Sequence, residues 1–168
     1  MKDLYYNRSV ESHKLLKEKI LQAISTTPSL YNTTPIENHL TDYHVSTSLK
    51  RDYEHLVMPA IIEHTNAFKQ YYNFEGTQLV SMWFQQYCTG GFHNWHVHPG
   101  CHFTNVYFVK LPDNKLTTQI KNPFNDHSIV DVVVKEGDIL TFPSFFYHCA
   151  PIVNIGEKTI ISFNINII

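Results

Sequence analysis

The sequence predicts a mainly β chain of the α+β class: helices first, then a sheet-rich core that carries the chemistry. Three observations point there. Apolar residues make up 43% of the 168 residues and aromatics 14%, and rings with many Val, Ile and Thr favour pleated, half-buried surfaces over a helix bundle. Hydrophobic spacing is helical up to about residue 71, and after Gly76 it gives way to short β-branched and aromatic runs. Turn signals (PDN, NPFND, KEGD and NIGE) separate those runs.

Taken in order, Ser12 to Ile24 places Leu16, Ile20, Ala23 and Ile24 on one helical face. The stretch TTPSLYNTTPIENHLTDYHVSTS, with two Thr-Pro steps and little periodicity, reads as loop. A second helix is expected from Leu49 to about Tyr71, striped by Tyr53, Leu56, Val57, Ala60, Ile61 and Phe68. Pro59 inside it should kink it or mark a fresh start. Strands are expected in TQLVSMWFQQY, TNVYFVKL, LTTQIKN, IVDVVVK, DILTFP and KTIISFNINI. Six or more strands at this spacing suggest a sandwich or open barrel with two N-terminal helices packed outside. One domain is expected over residues 1–168, with 1–75 helical or loop and 76–168 the β core. In the last strand Lys158, Ile160, Ser162 and Asn164 share one face, and Thr159, Ile161, Phe163 and Ile165 the other. A polar face turned inward would line a site.

Composition excludes some roles. Charged residues are 17% and the net charge is −2, so no basic excess exists to neutralise a phosphate backbone and no nucleic-acid partner is expected. MKDLYYNRSVESHK has no apolar leader core and no run reaches membrane-span length, so a cytoplasmic protein without membrane association is expected. Cys88, Cys101 and Cys149 form no CxxC and read as reduced thiols; Cys101 and Cys149 lie near the histidines of interest.

Histidine is the unusual count, at eleven. His13, His39, His44, His55 and His64 follow no ligand spacing and read as surface or partly buried polar residues. In GGFHNWHVHPG, by contrast, His96 and His98 are two apart, so on an extended backbone both imidazoles approach one point. His148, in TFPSFFYHCAP, is the candidate third ligand of a facial triad with open coordination positions. The bland reading makes His148 a core histidine bonded to backbone, and His96 and His98 loop residues. His93 would need a turn to reach the same ion, His102 and His127 rank lower, and Trp83 and Trp95 read as core or pocket wall. Gly137-Asp138 reads as a hairpin turn with a structural aspartate.

WHVHPGCHFTNVYFVKLP, then VKEGDILTFPSFFYHCAP, then EKTIISFN, in this order, resemble the 2-oxoglutarate and Fe(II)-dependent oxygenases. The likeness covers roughly residues 77 to 168 and is nearest the small bacterial and phage branch with a His-x-His-Pro step. It implies a double-stranded β-helix, the jelly-roll barrel of that superfamily. It implies His96 as first iron ligand, His98 where the family usually has Asp or Glu, and His148 as distal ligand. Lys158, ten residues on, would pair with the far carboxylate of 2-oxoglutarate, and Asn164 and Tyr107 would hydrogen-bond the cosubstrate. The implied activity is a dioxygenase's: hydroxylation of a substrate with O2 while 2-oxoglutarate is decarboxylated to succinate. Lysine replaces the commoner Arg and offers a point charge rather than a bidentate fork.

Three-histidine Fe(II) sites occur in cupin dioxygenases that use no 2-oxoglutarate, so such an enzyme is the alternative; a non-catalytic jelly-roll binding protein is the other. The rings around the site (Phe92, Trp95, Phe103, Phe145, Phe146 and Tyr147) suit a small-molecule or peptide-like substrate without selecting one. Any self-association is expected as a homodimer through the helical part or an outer sheet.

Overall fold

A computed structural model describes residues 4–32, 39–46 and 48–168. In chain order they form β1 (Tyr6–Ser9), α1 (His13–Thr26), β2 (Leu30–Asn32), β3 (His39–Thr41), α2 (Glu54–Tyr72), β4 (Thr77–Tyr87), β5 (His93–His96), β6 (Phe103–Lys110), β7 (Gln119–Lys121), β8 (Ile129–Val130), β9 (Asp138–Pro143), β10 (His148–Ala150) and β11 (Lys158–Ile167). The strands make two antiparallel sheets, ordered β1-β9-β6-β11-β4-β3-β2 and β5-β10-β7-β8. Side chains of both sheets share one core, in which Phe108, Leu140 and Ile160 of the larger meet Ile120 and Ala150 of the smaller. The sheets therefore face each other as the two halves of a double-stranded β-helix, and no closed barrel forms among the described residues.

The helices cover the outer face of the larger sheet. Ile20 and Ile24 of α1, and Val57, Ile61 and Phe68 of α2, pack against Tyr107, Ile139, Ile161, Phe163 and Ile165. Strand alternation decides which residues go where. The odd positions of β11 meet the helices, while Lys158, Ile160, Ser162 and Asn164 turn inward between the sheets.

Several sequence expectations are corrected. The helix with Pro59 starts at Glu54 and runs through the proline to Tyr72 without a fresh start. Pro59 lies on its exposed side, where water can take the carbonyl that the missing N–H leaves. The Thr-Pro stretch holds two three-residue strands, too short to show a period; its residues 33–38 and 47 lie outside the described residues. IVDVVVK keeps only Ile129–Val130 as strand. β1, unforeseen, pairs along β9 from Tyr6↔Thr141 to Ser9↔Asp138. His13, His39 and His64 are buried: His13 Nδ1 meets the Tyr107 hydroxyl at 2.8 Å, His64 Nε2 meets Thr141 Oγ1 at 2.7 Å, and His39 packs on Tyr87. Asp138 is structural, accepting from Ser9 Oγ and Lys135 N beside Gly137 at φ 92°.

Candidate metal centre

β5 and β10 bring His96 and His148 together because they are cross-strand partners in an antiparallel pair, which puts both rings on one face. Their centroids are 4.2 Å apart. His98 follows in the turn closed by Gly100 at φ 81°, a conformation that favours glycine. Its backbone N–H donates to Ser144 O at 3.0 Å, tying the turn to the end of β9. One ring nitrogen from each of His96, His98 and His148 lies within 4.8 Å of the others, the group among the described residues able to hold a metal.

The outer nitrogens show which atoms face the centre. His96 Nδ1 lies 2.6 Å from Asn94 O and His148 Nδ1 lies 3.0 Å from Phe146 O. Carbonyl oxygens only accept, so both Nδ1 atoms carry the hydrogen and both Nε2 atoms present lone pairs. His96 Nε2 and His98 Nε2 are 3.1 Å apart. A cation holding two imidazole nitrogens at about 2.1 Å and a right angle would put them about 3 Å apart. Burial holds His148 well below the usual imidazole range, helped by His96, and holds His98 down as well. Burial thus favours the neutral form of these two rings, the form a ligand needs.

Inward from the triad, Gln85, Thr104, Thr118, Cys149, Ile160 and Ser162 line a narrow cavity between the sheets. Lys158 heads the inward row of β11, opposite Tyr87. It is fully buried, its Nζ has no hydrogen-bond partner among the described residues, and it lies 5.5 Å from the Tyr87 ring centre and 5.9 Å from that of Phe108. Burial pushes its ammonium down to about 7. An unpaired buried ammonium is costly, so the position suits an anion brought from outside. On the outer side a cleft of about 250 Å³ opens over His96 and His98, walled by His39, Tyr43, Trp83 and Gln85. Its β3 wall is anchored by buried Asp42, which accepts from Tyr53 Oη and Phe84 N and pairs with Arg51.

The structure does not bring Tyr107 to this site. In β6 it is paired with Ile161 on the helix-facing side, and its hydroxyl meets His13. Asn164 does reach the site, but its amide is engaged with His98, Thr104 and Ser81. His93 packs its ring 4.1 Å from that of His96 without joining the ligand group. Cys149 Sγ faces Gln119 Oε1 and Cys101 Sγ faces His98 O, so neither thiol joins it. Gln85, Thr104 and Thr118 were missed; the parity that puts Ser162 inward also turns its β6 partner Val106, and hence Thr104, inward.

Solved structures share this fold of two facing antiparallel sheets, and those similar to this chain include proteins described as a 2OG-Fe(II) oxygenase and as a prolyl hydroxylase. An oxidoreductase of the 2OG-Fe(II) oxygenase family from Burkholderia pseudomallei matches with TM-score 0.72 and 10% identity, over 97% of this chain and 84% of that one. A viral collagen prolyl hydroxylase from Paramecium Bursaria Chlorella virus-1, in complex with 2OG, matches with TM-score 0.63 and 14% identity, over 99% and 97%. HygX from Streptomyces hygroscopicus, with nickel, 2-oxoglutarate and hygromycin B bound, matches with TM-score 0.68 and 8% identity, over 97% and 82%. No protein-family model and no curated protein matches the sequence. No helix among the described residues is long and apolar enough to cross a membrane.

Proposed function

We propose that this protein is an Fe(II)- and 2-oxoglutarate-dependent oxygenase that hydroxylates a small-molecule or peptide-like substrate. The observation that carries the reading is Lys158: a fully buried ammonium with no hydrogen-bond partner among the described residues, on the same inward face as the residues lining the cavity behind the triad. The donor set fits a divalent cation, since three imidazoles converge and His96 Nε2 and His98 Nε2 lie 3.1 Å apart. His96, His98 and His148 would hold Fe(II), and Lys158 would receive the far carboxylate of 2-oxoglutarate. Bound together with O2, they supply decarboxylation to succinate coupled to insertion of oxygen into a C–H bond. The chain's own part is positioning and exclusion. Asn94 O and Phe146 O fix two ligand rings, the rings of Phe142 and Trp83 shield the triad, and the outer cleft admits substrate.

Anaerobic addition of Fe(II) and then 2-oxoglutarate tests this in the visible spectrum. The expected result is a metal-to-ligand charge-transfer band, absent in His148→Ala and weakened in Lys158→Ala. Iron bound without the band would favour a three-histidine dioxygenase that uses no 2-oxoglutarate. Absence of iron binding would leave a jelly-roll binding protein.

A further inference from the structure

The three candidate ligands are not held in the same way. His96 and His148 each give Nδ1 to the carbonyl of the residue two before it, whereas His98 Nδ1 meets side chains only: Asn164 Oδ1 at 2.9 Å and Thr104 Oγ1 at 3.0 Å. Resting on the metal-site reading above, we propose that Asn164 and Thr104 are positioning residues that make His98 a metal ligand by fixing which of its ring nitrogens carries the hydrogen.

A neutral imidazole has one ring hydrogen. Placed on Nε2, it would point at His96 Nε2, 3.1 Å away, and close that side of the centre to a cation. Placed on Nδ1, it leaves the Nε2 lone pair free. Asn164 Nδ2 donates to Ser81 Oγ at 3.2 Å, which turns Oδ1 towards His98. The Thr104 hydroxyl gives its hydrogen to the same Oδ1 at 3.1 Å, so its oxygen is left as a second acceptor for the imidazole. Both partners accept, and the hydrogen stays on Nδ1. Ser81, Asn164 and Thr104 are direct register partners across β4, β11 and β6, so the device is built into three adjacent strands. Thr104 and Asn164 are buried, leaving little room for water to replace either.

The experiment is calorimetric titration of Co(II) under argon, with the visible cobalt bands and thermal melting recorded on the same samples. Asn164→Leu should weaken cobalt binding about 10- to 100-fold, Thr104→Val should act in the same direction, and Asn164→Asp, which only accepts, should restore binding. In a His98→Ala background Asn164→Leu should cost nothing further. Long-range proton–nitrogen NMR on histidine-labelled wild type should show His98 protonated at Nδ1. Unchanged cobalt binding in a folded Asn164→Leu, an equal loss in the His98→Ala background, or an Nε2-protonated His98 would overturn the proposal. Should Asn164→Leu not fold, Thr104→Val and the NMR tautomer decide. Wild type that binds no cobalt would instead overturn the metal-site reading itself.

Discussion

The larger sheet buries polar groups on both faces, and the two faces treat them differently. On the helix side His64 meets Thr141, Thr141 donates to Asn105 Oδ1, and Asn105 Nδ2 donates to Phe163 O, a chain that ends on backbone. His13 likewise meets Tyr107. His64 Nδ1, left there without a hydrogen-bond partner among the described residues, is a bare imidazole acceptor. On the inward side Lys158 buries an ammonium with three donors and no acceptor among the described residues, and His96 Nε2 and His98 Nε2 lie 3.1 Å apart. A buried polar group that ends on protein holds the fold together; a buried ammonium with no acceptor among the described residues suits a partner from outside. The same residue type, histidine, thus serves as structure on one face and as a candidate ligand on the other.

The sharpest way to break this contrast is to remove an inward histidine. His148→Ala should lower divalent metal affinity by well over the roughly hundredfold expected of a lost supporting contact. It should also abolish metal-dependent stabilisation, which for wild type at a thousandfold excess over Kd is about 4 kcal/mol in thermal shift. An unchanged metal-induced shift would place the metal elsewhere.

Next in size is Lys158. Burial lowers its ammonium from an ordinary 10.5 to about 7. Between those values the unfolded chain holds a proton that the folded chain has released, so stability rises with pH through that window; below about 7 both states are charged and the full penalty stands. The displacement corresponds to at most about 5 kcal/mol. Lys158→Met should therefore raise the melting temperature of the ligand-free protein at pH 6, flatten its rise towards pH 10, and abolish 2-oxoglutarate binding. Identical pH profiles of the two proteins would show the ammonium to be solvated.

Strand periodicity made much of this legible. The run TQLVSMWFQQY is β4 to the residue, and the parity of KTIISFNINI separates helix-facing from inward residues. His-x-His spacing and the distant His148 were also readable. Their meeting depends on the β5–β10 register, which rests on strands of four and three residues that show no period of their own. Tyr107 was misplaced for a related reason: its neighbours Val106 and Phe108 are also apolar, so β6 carries no visible alternation and only its pairing with β11 reveals which face is which. The Asn164–Thr104–Ser81 row needs two registers at once and has no signature in sequence.

Smaller effects belong to the helix side. Thr141→Val strands both His64 Nε2 and the Asn105 carboxamide, and should cost about 1–3 kcal/mol in chemical denaturation. Cobalt binding should not change, because no member of that chain reaches the triad; a matching loss of metal affinity would mean that the two faces are coupled through the sheet.

Tyr107→Phe is expected to be the mildest, and it separates the two faces most directly. It removes one hydroxyl from a buried pair with His13 and leaves the ring in the helix-side core, at a cost of about 1 kcal/mol. The His13 ring keeps its second neighbour, Glu136, whose carboxylate Lys17 also holds, so α1 stays docked. Because Tyr107 stands on the face opposite Lys158, affinity for 2-oxoglutarate should match wild type in the Fe(II)-loaded protein. A fall in that affinity at unchanged melting temperature would put the tyrosine hydroxyl on the cosubstrate after all, and would mean that β6 presents its other face inward in the working protein.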